Sequence, residues 1–178
     1  MKKMDKKRKV KLVIGMTLIF ITASFAQQKS TSLKNAFHDD FYIGTALDSV
    51  QIVGAAQLSN NLVKQQFNSI VAENCMKIEK IQPTEGKFDM KLSDLFVKFG
   101  ENNNMKIIGH NLLWHSQTPA WFFVDKNGKQ VSREVLIDRM RKHITTLVTR
   151  YKGRVMAGMW LMRRWKTMAH CVKVCGTK

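Results

Sequence analysis

The stretch MKIIGHNLLWHSQTPAW, Met105–Trp121, decides how the rest of the chain is read. Its first ten residues, Met105–Trp114, are a nearly continuous apolar run and predict a strand buried on both faces. HSQTPAW then predicts a loop leaving the C-terminal end of that strand, with Pro119 as a breaker. Polar and aromatic groups gather there: His110, Trp114, His115 and Gln117.

The same grammar recurs on both sides. FYIGTAL, Phe41–Leu47, and the run Ser69–Cys75 predict two earlier strands. Between them QLSNNLVKQQF places Leu58, Leu62 and Phe67 at helical spacing, with Ser59 or Asn60 as a cap. After Pro83 and Gly86 mark a loop, MKLSDLFVKFGENN repeats apolar residues at Leu92, Leu95, Phe96 and Phe99 and predicts a helix ending near Gly100. A third helix is predicted over SREVLIDRMRKHITTLVTRY. Ser132 is its cap, and Val135, Ile137, Met140, Ile144, Leu147 and Val148 form its apolar face. A fourth strand is expected from Val155. Apolar strands alternating with amphipathic helices imply a parallel α/β fold, whose chemistry sits on loops at the C-terminal ends of strands.

Charge narrows the function classes. The 178 residues carry a net charge of +17. Residues 1–26 hold +6, residues 27–155 hold +6 and residues 156–178 hold +5. The middle is mixed in sign and predicts a solvated surface rather than a nucleic-acid interface. At the N-terminus a basic run from Lys2 to Lys11 precedes LVIGMTLIFITASFA, residues 12–26, which closes on Ser24-Phe25-Ala26. That order predicts a signal peptide cut after Ala26, a secreted product (extracellular or periplasmic) and no membrane anchor after cleavage. Residues 27–40 are a polar lead-in. Cys75, Cys171 and Cys175 match no metal-ligand or disulfide pattern, and no metal or cofactor is expected.

Two strand ends carry the candidate chemistry. The second strand ends in Glu73, Asn74 and Lys77, and the third in His110, Trp114 and Gln117. A sugar hydroxyl both donates and accepts, so a carboxylate, an amide and an ammonium within five residues suit a polyhydroxylated ligand. Trp114 would offer a flat apolar face to a sugar ring. By composition alone a surface turn with a local ion pair is the preferred reading of Glu73–Lys77, and core packing is the simple reading of His110 and Trp114.

VAENCMKIEKIQPTEGKFD (Val71–Asp89) and IIGHNLLWHSQTPAWFF (Ile107–Phe123) closely resemble glycoside hydrolase family 10, the endo-1,4-β-xylanases. The resemblance runs from about Phe41 to Val155. Ile78 departs from it, because the family often has a tryptophan there. The resemblance implies a (β/α)8 barrel, of which this chain would supply the first three βα units and an aborted fourth strand. It implies retaining hydrolysis of β-1,4-xylan without a cofactor. Glu73, Asn74, Lys77, His110, Trp114 and Gln117 would hold xylose units on the non-reducing side of the scissile bond, with His115 behind them.

A retaining glycosidase needs two carboxyl groups about 5–5.5 Å apart. In the family one glutamate ends strand four, in a motif like G-W-D-V-V-N-E, and the other ends strand seven. After Asp138 these residues contain no Asp or Glu. Residues 156–178 form a basic tail unlike the family. Back-translated from the last base of the Met156 codon, with the degenerate bases chosen freely, they can be read as Gly-Trp-Asp-Val-Val-Asn-Glu and onward. The expectation is a shifted reading frame near Val155, and a chain inactive for want of both glutamates. The alternative is a fragment that binds xylan without cleaving it.

Overall fold

The computed structural model describes residues 31–114 and 116–158. Residues 1–30, which include the expected signal peptide, lie outside the described residues, as do His115 and residues 159–178 with Cys171 and Cys175.

A four-residue helix α1, Leu33–Ala36, leads to strand β1, Gly44–Leu47. Helices α2 (Ser49–Ile52) and α3 (Gln57–Gln66) return the chain to β2, Ser69–Ala72. Helices α4 (Ile78–Ile81) and α5 (Lys91–Asn102) lead to β3, Lys106–Gly109. A 3-10 turn, Ala120–Phe122, and the long helix α6, Arg133–Arg150, precede β4, Ala157–Gly158. The four strands lie in sequence order and pair in parallel. The expected β-α alternation is present, with the short helices α1, α2 and α4 added.

The strands are shorter than their apolar runs. Strand β3 stops at Gly109 instead of Trp114. Beyond it Leu112 packs against the main core, while Leu113 enters a second core with Ile78, Phe122, Val131 and Leu136. Strand β2 stops at Ala72, yet Cys75 and Met76 stay in the main core with Leu47, Ile70, Phe96 and Ile107. Phe41 and Tyr42, expected in β1, precede it and are exposed.

Helix α3 corrects the expected face. Leu58 is 89% exposed and Leu62 54%, while Asn60 and Val63 are buried. Asn60 is inside because its Nδ2 donates to Gln51 O at 2.9 Å. Gln51 O, at the C-terminus of α2, also accepts from Gly54 N at 3.1 Å, so Asn60 adds a second donor there. Neither Ser59 nor Asn60 caps α3; Ala56 holds that position without a side-chain bond. In α6, Ser132 does cap, accepting from Val135 N at 3.4 Å. The inward line is Leu136, His143 and Leu147, with Met140 and Ile144 against the second core. Val135 and Val148 face outward, each 42% exposed.

Helix α5 packs directly on the sheet through Gly100. A Cβ there would stand 2.5 Å from Ile107 Cγ1 and 3.0 Å from Ile70 Cδ1. Only a residue without a side chain lets the helix approach β2 and β3 this closely.

Candidate functional site

Parallel pairing of β2 with β3, from Ser69↔Lys106 to Val71↔Ile108, brings the two C-terminal strand ends side by side. The chain after Ala72 and the chain after Gly109 therefore converge. Lys77, 8% exposed, sits where they meet. Its ammonium donates to Asn74 Oδ1 at 2.7 Å and to Gln117 Oε1 at 2.5 Å. It also lies 4.9 Å from the centre of the Trp114 ring. An ammonium has three N–H donors. Two are taken by amide oxygens, and the ammonium also faces the Trp114 ring.

This geometry is incompatible with a solvated turn. Lys77 is buried and pairs with neutral amides, not with Glu73. Among the described residues it makes no ion pair, so its charge is met by dipoles and an aromatic face. Glu73 is exposed, and its backbone N–H donates to Leu47 O at 3.0 Å, tying the end of β2 to β1. His110 is half-buried, and its imidazole is held below the usual range, first by desolvation and then by the positive charge of Lys77. It is therefore neutral at neutral pH and can both donate and accept.

The loop carrying Gln117 is held from several directions. Thr118 Oγ1 donates to Trp114 O at 2.5 Å. Gln117 has a left-handed backbone, φ +52°. Its Nε2 donates to Glu79 Oε1 at 2.9 Å and approaches Asn74 Oδ1 at 3.3 Å. The Glu79 N–H donates in turn to Gln117 O at 3.2 Å. Further along, Arg139 of α6 donates to Trp121 O, Phe122 O and Val124 O. It also makes a two-pronged ion pair with Glu85, at 2.7 and 2.9 Å. One buried guanidinium thus ties the 3-10 turn to the Pro83–Lys87 loop.

Behind the loop, His143 is fully buried. Its Nδ1 meets Gln82 Oε1 at 2.8 Å, and Gln82 O accepts from Trp121 Nε1 at 3.2 Å. Desolvation pushes the imidazole down to about 4, opposed weakly by the Leu112 backbone. Cys75 is no nucleophile: burial pushes its thiol up to about 12.

Four of the six residues expected at the site therefore meet directly: Asn74, Lys77, Trp114 and Gln117. His110 is near enough to feel Lys77, and Glu73 stands outside the network. His115 lies outside the described residues. Glu79, Arg139 and His143 escaped the sequence reading. Glu79 left one trace, its position two residues after Lys77 in a motif already singled out. Among the described residues no three His, Cys, Asp or Glu side chains group as metal ligands. No helix among them is long and apolar enough to cross a membrane.

Known proteins resemble this chain in sequence and in fold. Endo-1,4-beta-xylanase A of Xylanibacter ruminicola is 46% identical over 142 residues, covering 80% of this chain and 38% of that protein. Endo-1,4-beta-xylanase C of Paenibacillus barcinonensis is 42% identical over 140 residues, covering 77% of this chain and 13% of that protein. The chain thus spans less than two fifths of either relative. Among solved structures, a GH10 endoxylanase from a sugarcane soil metagenome superposes with a TM-score of 0.68 at 41% identity, over 72% of this chain and 37% of that one. A variant structure in complex with xylotriose gives a TM-score of 0.67 at 34% identity, over 74% and 38%. These neighbours are (β/α)8 barrels, and the four parallel strands described above are part of one. The sequence profile described as Glycosyl hydrolase family 10 matches residues 32–160. That span takes in all four strands and every member of the Lys77 network, and the chain belongs to that family.

Proposed function

We propose that the protein to which these residues belong is an endo-1,4-β-xylanase, and that this part of it holds xylose units next to the scissile bond. The observation that carries the reading is the buried Lys77 ammonium, held by Asn74 and Gln117 against Trp114 at the mouth of two parallel strands. The site offers an ammonium donor, amide groups, a neutral imidazole and an indole face. This set fits a sugar, whose hydroxyls need donors and acceptors and whose ring needs an apolar face. Asn74, Lys77, Gln117 and His110 bind hydroxyls, Trp114 stacks, and Glu73 adds an acceptor from the exposed rim.

The chemistry would come from two glutamates that residues 139–178 do not contain. In the frame as written the chain therefore does not cleave xylan. A second reading, binding without cleavage, is supported by the network itself: among the described residues Lys77, Asn74 and Gln117 hydrogen-bond one another. We also infer export, supported by the basic run Lys2–Lys11 and the apolar residues 12–26. Neither nucleic acid nor a membrane surface has a place in this reading.

The test compares reducing-sugar release from beechwood xylan by two proteins. One is the chain as written. The other is read through after Val155 with one base restored. The proposal expects release only from the second. Release by the chain as written would overturn the claim that it lacks its acid and nucleophile. No release by a folded read-through product would overturn the enzyme assignment.

A further inference from the structure

The sugar-holding reading leaves one member of the cluster unused. Glu79 touches no position where a sugar is expected, yet it grips Gln117 twice. Its Oε1 accepts from Gln117 Nε2 at 2.9 Å, and its backbone N–H donates to Gln117 O at 3.2 Å. We propose that Glu79 is a positioning residue for the sugar site, fixing which end of the Gln117 amide faces Lys77. The inference rests on the reading of the Lys77 cluster as a sugar site.

The argument is one of polarity. A glutamine amide is nearly symmetric in shape and opposite in chemistry at its two ends. Here the oxygen lies 2.5 Å from the Lys77 ammonium and the nitrogen 2.9 Å from the Glu79 carboxylate. Turned over, the amide would aim N–H at an ammonium and oxygen at a carboxylate, two repulsive contacts for two attractive ones. Lys77 and Glu79 thus polarise Gln117 from opposite sides, in the order carboxylate, amide, ammonium. Asn74 Oδ1 joins them by accepting from both Lys77 and Gln117. Removing the carboxylate leaves the amide held at one end only. The ammonium then loses its fixed partner and its fixed position under Trp114.

A surface role does not account for Glu79. Its other neighbour, Lys80, stands 3.9 Å away with a side chain 56% exposed, a pair that contributes little. The Glu79 side chain is half-buried, 35% exposed, with its carboxylate turned to Gln117.

The test uses the full chain and xylotriose, with Glu79→Leu, Glu79→Gln, and each combined with Gln117→Ala. Glu79→Gln keeps an oxygen for Gln117 Nε2 and should bind within about twofold of the parent. Glu79→Leu should bind about tenfold more weakly, in keeping with the loss of one charge-assisted hydrogen bond. On the Gln117→Ala background Glu79→Leu should change affinity less than about twofold, because its target is gone. A ligand-free arm follows the Gln117 side-chain amide by 15N NMR, assigned by its loss in Gln117→Ala. Its resonances should move in Glu79→Leu and stay in Glu79→Gln. Unmoved resonances in Glu79→Leu, equal losses in both variants, or additive losses with Gln117→Ala would overturn the inference. If the parent chain does not bind xylotriose, the sugar reading fails, and the NMR arm still decides whether Glu79 orients Gln117.

Discussion

Lys77 Nζ lies 2.5 Å from Gln117 Oε1 across forty positions of sequence, and this contact joins the ends of two neighbouring strands. It lets a buried ammonium exist without a carboxylate partner. Replacing Gln117 with Leu leaves that charge with one amide oxygen. An unsatisfied buried group costs about 1–3 kcal/mol, and more when charged. Gln117→Leu is therefore expected to destabilise the chain by about 2 kcal/mol in urea unfolding. A loss below about 0.5 kcal/mol would mean that the contact is not supporting Lys77.

His143 makes the fold sensitive to acid. Its imidazole is down at about 4 in the folded chain, against 6.5 for the ordinary group. The unfolded chain therefore takes the proton first. Stability is complete above about pH 6.5 and falls as pH drops toward 4, by about 3 kcal/mol over that window. The slope should be clearly shallower in His143→Leu, with His110 left to contribute the remainder, measured by urea unfolding between about pH 7 and pH 4.5. Equal slopes in the two proteins would place the acid sensitivity elsewhere.

Gly100 should not accept alanine. The substitution gains up to about 1 kcal/mol in helix propensity. It also puts a methyl group 2.5 Å from Ile107 Cγ1, against the face of the sheet. Overpacking of this kind costs about 1–3 kcal/mol, so Gly100→Ala should lower stability overall. A variant melting above the parent would show that α5 can move away.

Arg139→Met should loosen the loop that carries Gln117 without unfolding the sheet. The guanidinium holds three carbonyls and Glu85, whereas methionine keeps only the stem's packing. Hydrogen exchange should speed up in the segment from Pro119 to Val124, while β2 and β3 stay protected. Uniform protection would contradict the role given to Arg139.

Much of this was legible in the chain. Apolar runs located the first three strands, and Ser132 marked the start of α6. What failed was the assumption that apolar residues face inward and polar ones outward. Leu58 and Leu62 sit outside, while Asn60 turns inward and donates to Gln51 O at the end of the short helix α2. His143 took a core position because Gln82 could satisfy its ring nitrogen. The site residues were found through the family motifs, since single residues such as Lys77 read equally well as surface charges. Glu79 was invisible because its role depends on Gln117, thirty-eight positions away, and on which way an amide points.

The export reading has its own check. Sequencing the N-terminus of the secreted protein should begin at Gln27. A product that retains Lys2–Lys11 would contradict it.

The most direct test of the central claim is a calorimetric titration of xylotriose into the full chain and into Lys77→Met. Methionine fills the space of the lysine stem and removes the ammonium. The account predicts saturable binding by the parent and a loss of at least about tenfold in Lys77→Met, the effect of deleting a charged donor. Equal affinity in the two proteins, or none in the parent, would contradict the claim that this cluster holds the sugar.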